Sequence, residues 1–535
     1  MTDPSTAARI WFSAYLLHAD LDDPVRALAP EHRPGQDPHV RSFAVQSATL
    51  HARAFVRATP ARTPDWATNL AAQIDELRHL RTSSNGLVII APVGDRKVAF
   101  AFGLGWRMLD PEAFEWNFGL KVGARTLDPD RIKQTEARTL DASARTRVTS
   151  FVTGQQIGQF GFDFDGDWVR RLSGRTRGED GEAGDLISAG DSYRFRCAPD
   201  IAAACRQVER YLTLLDQPAD ETFEFIDNLI PLRPGSQVDA LNAELLTRLS
   251  AGTESGRTIL APTEWLDCDD VAGYLVSRGH AAPFGKLDEL DIEELVGLLG
   301  GHRAAWNRAL TSVYVEAVDH AGDSRLRHPL RRWLLHETQA GEDRYIFTLG
   351  RWFQINTRYV GNIDRRLDRI PALNGEPGLP RWNRKQREDA YNEAAARALG
   401  AVCLDKRCGH SELGATPVEF CDLLLPDSTF VHVKRADGSQ SLSHLFAQGS
   451  TSTVLLARND ERFRGDLQKL LASRAPRHPV RSTLRPTRVV YAIGTRSTLP
   501  IHKALFTIAK VALLAHSEVI RATGTPLYLA KIQCT

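Results

Sequence analysis

Apolar and polar positions alternate most sharply between residues 420 and 435, where the chain reads Phe-Cys-Asp-Leu-Leu-Leu-Pro-Asp-Ser-Thr-Phe-Val-His-Val-Lys-Arg. Two apolar runs flank a Pro-Asp-Ser turn, so the pattern predicts a hairpin. Asp422 falls on the first strand, and His432 and Lys434 fall two apart near the end of the second. A period of two puts His432 and Lys434 on one face. Glu419 lies three residues before Asp422, which places it on the opposite face unless a bulge intervenes.

The same reading extends along the chain. Residues 9–18 predict a first strand, and residues 87–92 and 97–102 a hairpin turning at Gly94-Asp95. Residues 201–215, 238–250 and 290–299 carry helical periodicity. Residues 345–356 read as strand with a turn near Gly350. The stretch 174–190, rich in Gly, Arg and acids, reads as a mobile loop or linker. Asn374-Gly-Glu-Pro-Gly-Leu-Pro380 is a cluster of breakers and marks a boundary. Beyond it the pattern predicts a helix at 384–399 ending at Gly400, strands at 401–405, 417–425 and 429–435, and a helix at 442–458. A basic loop, a strand at 488–494, a helix at 501–516 and a last strand at 527–532 follow. The expected fold class is therefore an α/β C-terminal domain (381–535), after an N-terminal α+β domain (1–200) and a mostly helical α+β middle domain (201–375). A chain of 535 residues is too long for one core.

Composition narrows the function classes. Apolar residues make up 42% and charged residues 25%, the balance of a globular protein rather than a disordered or membrane one. No run of about 18 apolar residues occurs, and the first residues lack the basic and apolar regions of a secretory signal, so a cytoplasmic protein without a membrane partner is expected. The 7 cysteines are scattered, which fits reduced thiols. Cys403, Cys408, His410 and Cys421 match no common zinc spacing. No Gly-x-Ser-x-Gly, His-Glu-x-x-His or complete phosphate-loop motif is present. The net charge of +1 conceals an asymmetry, because residues 381–535 hold 23 Lys and Arg against 13 Asp and Glu. A basic C-terminal third fits a polyanion partner.

An aspartate on one hairpin strand and a lysine ending the other are parts suited to metal-assisted phosphodiester hydrolysis. Hard carboxylate oxygens hold Mg²⁺, and a lysine can orient or deprotonate water and offset developing charge. On the following helix His444, Gln448 and Ser452 share a face at i, i+4, i+8. Arg435, Ser439, Ser441 and His444 could contact phosphates, and Arg474, Arg477, Arg481 and Arg485 could track a nucleic-acid backbone.

The order α-β-β-β-α-β with these residues resembles the PD-(D/E)XK, or restriction-endonuclease-like, nuclease superfamily over residues 384–535. The resemblance implies metal ligands at Asp422 and at Glu393 on the first helix, Lys434 as the catalytic lysine, and Gln448 as a positioning group. His432 stands where that superfamily usually carries an acid, as a ligand or base; histidine suits Mn²⁺ better than Mg²⁺. Phe118-Gly-Leu-Lys-Val, residues 135–141, Gly350-Arg-Trp-Phe, His432-Val-Lys-Arg and residues 442–449 also make the whole chain similar to a sporadically distributed bacterial family found among restriction and mobile-element genes. These resemblances imply a Mg²⁺- or Mn²⁺-dependent DNA nuclease of antiviral defence, with a homodimer as an arrangement by analogy. The alternatives are an inactive nuclease fold that binds nucleic acid or acts as a scaffold, and a nuclease that cuts RNA.

Overall fold

The computed structural model describes residues 9–45, 50–139, 146–161, 167–178, 183–250, 258–262, 271–279, 281–300, 303–320, 322–373, 378–383, 385–412, 417–436 and 439–535. The chain forms two compact units. One comprises residues 1–138, 147–162 and 169–226, the other residues 139–146, 163–168 and 227–535. Among the described residues no helix is long and apolar enough to cross a membrane.

The first unit is organised by a ten-stranded sheet. The expected first strand is Ile10–Leu16, and the expected hairpin is Asn85–Val93 with Arg96–Gly103. Phe12, Phe100, Ile187, Leu172 and Phe195 fill the core on one face of the sheet. Helix Ile201–Leu214 covers that face, its first turn capped by Asp200, which accepts from the amides of Ala202 and Ala203 at 3.2 and 3.0 Å. Helix Phe118–Thr126 approaches so closely that a Cβ on Gly119 would stand 2.0 Å from the Ser192 carbonyl oxygen. Of the stretch 174–190, residues 179–182 lie outside the described residues, and 174–177 and 183–189 are strand rather than linker. Strands Asp167–Arg177 and Ala183–Ala189 pair antiparallel there, Leu172 and Ile187 facing the core while the arginines and serines face outward. The polar composition records one solvated sheet face, not disorder.

In the second unit the middle residues carry more strand than expected. One antiparallel sheet has five strands, including Leu334–Ala340, Asp343–Thr348 and Arg351–Ile355, and another has four, including Gly273–Arg278 and Val313–Val318. Alternating β-branched and aromatic residues, as in Val313-Tyr-Val-Glu-Ala-Val, favour this pleated, half-buried surface. Helices Ser236–Ser250 and Ile292–Leu299 pack with them.

The C-terminal part begins with helix α1 (Glu388–Leu399), closed by Gly400 in the left-handed conformation at φ 60°. Strands β1 (Val402–Cys403), β2 (Leu423–Leu424) and β3 (Thr429–Arg435) follow, then helices α2 (Ser439–Ala457) and α3 (Glu461–Arg474). Strand β4 (Arg488–Thr495), helix α4 (Thr507–Ala522) and strand β5 (Leu527–Gln533) complete it. The sheet runs β1-β2-β3-β4-β5, with Ala372–Leu373 beyond β5. β2 is antiparallel to both neighbours, whereas β3, β4 and β5 are mutually parallel. Val431 and Val433 pack toward α1 with Tyr391 and Trp382, and Phe430 packs on the other face with Phe463 and Leu467. Each such buried side chain contributes about 1.5–3 kcal/mol. A Cβ on Gly449 would meet the Tyr491 ring at 2.6 Å, so glycine lets α2 sit directly on β4.

Two predicted elements are broken. The helix over 501–516 is Ile501–Ala504 followed by α4, because buried Glu337 caps α4 by accepting from the amides of Thr507 at 2.6 Å and Ile508 at 2.9 Å. The strand over 417–425 splits into Val418–Glu419, which pairs with Cys408–Gly409, and β2. Helix α3 was not foreseen; Asp460 caps it by accepting from the Phe463 amide at 2.9 Å.

Candidate metal centre

The break between Glu419 and β2 creates the site. At Asp422 the chain leaves the edge of β3, so the next β3 amide, that of Val433, has no strand partner. The Asp422 carboxylate takes that amide instead, accepting at 2.6 Å through Oδ2. The same departure brings Glu419 around beside Asp422, cancelling the alternation that put them on opposite faces. The antiparallel β1 adds a third acid, since Leu404 donates its amide to the Asp422 carbonyl at 2.8 Å and Asp405 follows directly. One carboxylate oxygen each of Asp405, Glu419 and Asp422 lies within 4.8 Å of the other two.

Each acid is held. Asp405 Oδ1 accepts from Asn392 Nδ2 of α1 at 3.3 Å, and Asn392 is fully buried. Glu419 Oε2 accepts from Gln448 Nε2 of α2 at 2.8 Å, and its other oxygen accepts from the Lys406 amide. Lys406 adopts φ 59°, a left-handed conformation that a non-glycine residue rarely takes and that aims its amide at Glu419.

The electrostatics are those of an uncompensated cluster. Asp422 is only 7% exposed. Burial pushes its carboxyl well above the usual range; the Val433 amide opposes this, and Glu419, Asp405 and Glu388 push it further up. Glu419 is raised as well, chiefly by burial, with Asp405 and Glu388 adding to the rise and the Lys406 amide and Lys434 opposing it. Two oxygens bound to one hard cation at about 2.0–2.6 Å stand at most about 4–5 Å apart, so this group of carboxylates fits such a cation in both spacing and donor chemistry.

The expected residues fall unevenly around this centre. Asp422 is in it, and Gln448 orients Glu419. Lys434 Nζ donates to Glu388 Oε1 at 2.8 Å, at the first residue of α1. Exposed Glu393, expected as the ligand from α1, stands outside the triad: the helix begins at Glu388 rather than at 384, so the acid facing Lys434 comes from its first turn. His432 is also outside the triad. Its ring lies 5.9 Å from that of Tyr491, and burial lowers its pKa to about 4, leaving a neutral imidazole. Its Nε2 has no hydrogen-bond partner among the described residues. His444 is exposed on α2, and partial burial of its ring with the Lys434 charge lowers its pKa. Ser452 is fully buried, its hydroxyl donating to the Gly449 carbonyl at 3.3 Å. The side chains of Ser439 and Ser441 lie outside the described residues.

The basic residues do not line this cleft. The Arg435 guanidinium stacks 4.6 Å from the Trp382 ring centroid and donates to the Gln386 carbonyl at 2.9 Å, tying β3 to the segment before α1. Arg488, which ends the 474–488 loop, pairs with Thr429, whereas Lys434 pairs with Ile493. Arg474, Arg477, Arg481 and Arg485 therefore lead into the end of β3 and β4 opposite Lys434. Within that loop Arg481 donates to the Pro476 carbonyl, and Arg485 to the Ala457 carbonyl at 2.8 Å.

Two members of the site escaped the sequence reading, Asp405 and Glu388. Asp405 ends the strand predicted to precede the hairpin, so antiparallel pairing with the Asp422 strand was the available clue. Glu388 and Asp389 form an acidic first turn, which complements the helix dipole and so reads as ordinary capping. The cysteines form no metal group among the described residues, Cys408 being exposed and Cys421 buried.

A family of unknown function, DUF6119, matches residues 12–533, and the chain belongs to it. No curated protein and no solved structure matches the chain.

Proposed function

We propose that this member of a family of unknown function is a metal-dependent nuclease that hydrolyses DNA phosphodiester bonds. The observation that carries this reading is the convergence of Asp405, Glu419 and Asp422 at the edge of β3, one strand position from Lys434. The order α1-β1-β2-β3-α2, followed after α3 by β4, with β2 running against both its neighbours, supports the restriction-endonuclease-like core within that reading.

The three carboxylates would hold a divalent cation, Mg²⁺ or Mn²⁺, which when bound polarises a phosphoryl oxygen and acidifies water. Gln448 and Asn392 fix the carboxylates before substrate arrives. Lys434 supplies positive charge beside them, with Glu388 setting its position. His432, buried beside Tyr491, lies outside the group of three carboxylates.

Cleavage of plasmid, single-stranded DNA and RNA by the purified protein, with Mg²⁺, Mn²⁺ or chelator, tests the reading. Metal-dependent cutting that is lost in Asp422→Ala and Lys434→Ala is the expected result, and the cut substrate separates DNA from RNA. A defence role predicts that expression in a bacterial host lowers phage plating and that Asp422→Ala restores it. A second reading, a nucleic-acid-binding module without catalysis, is favoured by the engagement of Lys434 by Glu388. Binding that persists in both variants without cutting of any substrate would select it.

A further inference from the structure

The ten-stranded sheet of the first unit is buried on both faces at Asn85–Val93 and Arg96–Gly103, but at Tyr193–Cys197, Ala183–Ala189 and Asp167–Arg177 it has one face packed and one open. The packed face carries Phe12, Leu172, Ile187 and Phe195 against helix Ile201–Leu214, with Tyr211 of that helix 4.6 Å from the Tyr193 ring and 5.4 Å from that of Phe195. Register defines what stands on the other face. Trp11 lies opposite Arg196 and Ser13 opposite Arg194; Arg194 in turn lies opposite Ser188, Ser188 opposite Ser173, and Leu186 opposite Arg175. Arg171, Arg194 and Arg196 are exposed. The guanidinium carbons of Arg194 and Arg196 lie 4.8 and 6.0 Å from the Trp11 ring centroid, so two cations gather at one indole. The Ser173 hydroxyl donates to that of Ser188 at 2.8 Å between the arginine-bearing strands. Glu136 lies 3.7 Å from Arg171, and Arg9, which pairs with Asp185, donates to the Arg196 carbonyl at 2.7 Å.

We infer that this open face, centred on Trp11, Arg171, Arg194 and Arg196, binds single-stranded nucleic acid. Arginines two apart on one strand stand about 7 Å apart, and rows on strands one removed stand about 10 Å apart, a spacing over which an extended backbone can meet successive guanidinium groups. Guanidinium and indole planes stack on base faces, which are free only in unpaired strands. Arginine also forks onto phosphate oxygens. The inference deepens the nuclease reading and rests on it for the choice of nucleic acid as the polyanion. The acidic triad belongs to the other unit.

The test is fluorescence anisotropy of the full chain in chelator, with labelled oligo(dT), oligo(U) and a duplex of equal length, over a salt series. Arg194→Glu/Arg196→Glu is expected to weaken oligo(dT) binding about tenfold or more and to reduce the slope of log K against log salt by about 1.4. Trp11→Ala is expected to weaken binding with the slope unchanged. Arg194→Gln/Arg196→Gln makes the same test if charge reversal disturbs the sheet. Arg206→Glu/Arg210→Glu, on the helix covering the opposite face, controls for net charge and should bind as wild type. The inference is overturned if the Arg194/Arg196 variants keep wild-type affinity and slope, if the control loses as much, if the duplex binds more tightly than either oligomer, or if the wild type binds neither oligomer at low salt. Failure of the cleft reading would leave these losses in place while no protein cuts; failure of this inference would leave cutting dependent on Asp422 with binding untouched in the Arg194/Arg196 variants.

Discussion

Buried polar clusters in the second unit are built on two opposite electrostatic plans. Around α4 the buried charges Glu337 and Lys510, and the neighbouring Arg344, each have a partner. Glu337 takes two α4 amides, Lys510 is fully buried against Asp364, and Arg344 donates to the Leu505 carbonyl at 3.0 Å. In the middle sheets the fully buried His336 lies between the Thr258 hydroxyl at 2.7 Å and Glu244 at 3.2 Å, and Arg248 donates to Glu244 at 2.8 Å. At the edge of β3, three acids share one space, and the nearest cation, Lys434, is held by a fourth. The contrast appears in the acids themselves. Burial alone would raise Glu244, yet hydrogen bonds from His336 and Arg248 outweigh it and draw its pKa to about 2, whereas burial and like charge drive Asp422 upward. A satisfied network holds elements together; an unsatisfied one of hard oxygens is poised for a cation.

Four experiments break or sharpen this contrast. The largest effect is expected from Asp364→Ala, which strands the buried Lys510 ammonium; denaturant unfolding should show a loss of about 3–5 kcal/mol. Loss of less than about 1 kcal/mol would mean that the α4 cluster is not a structural linchpin. Next, Asp422→Ala should lower cleavage by about two to three orders of magnitude while circular dichroism and unfolding midpoints stay at or above wild type. Third, Asp422→Asn should stabilise the metal-free protein by about 1–3 kcal/mol at neutral pH. The sign follows from the raised carboxyl: ionised Asp422 costs stability above its unfolded pKa, and this cost disappears as acidification protonates it. The advantage of Asn should therefore vanish at low pH and shrink when Mg²⁺ is added, and Mg²⁺ should bind more weakly as pH falls. The smallest effect is expected from Glu244→Gln, about 1 kcal/mol. A depressed carboxyl stabilises above its ordinary pKa of 4.5 and loses that contribution as pH falls toward about 2, so the variant should have a flatter acid limb in its stability profile.

Strand β3 was legible in full: its alternation marked Thr429–Arg435 and gave Lys434 its place at the end. The partner strand was legible only as an apolar run. Its interruption between Glu419 and Leu423 depends on Val418–Glu419 finding Cys408–Gly409, a pairing that local pattern does not encode. Glu393 and Glu388 are both acids on one predicted helix; which of them meets Lys434 turns on where the helix starts, and helix starts are weakly marked when no Ser, Thr, Asp or Asn occupies the cap. Here Arg387 occupies it and makes no side-chain capping bond. The basic loop was legible as basic, but its position at the far end of β3 follows from the parallel register of β3 and β4.

The sequence by itself determined strands β3, β4 and β5 and helices α1 and α2 of the C-terminal part, its basic character, and Asp422 and Lys434 as the residues to watch, because period, turn chemistry and charge are local properties of the chain. Tertiary structure decided which acids converge. Asp405, Glu419 and Asp422 lie on three separate segments, and only the departure of the chain from the edge of β3 brings their oxygens within 4.8 Å. It also decided that His432 is neutral and interior, since burial, which no residue carries in its own sequence, sets its pKa near 4.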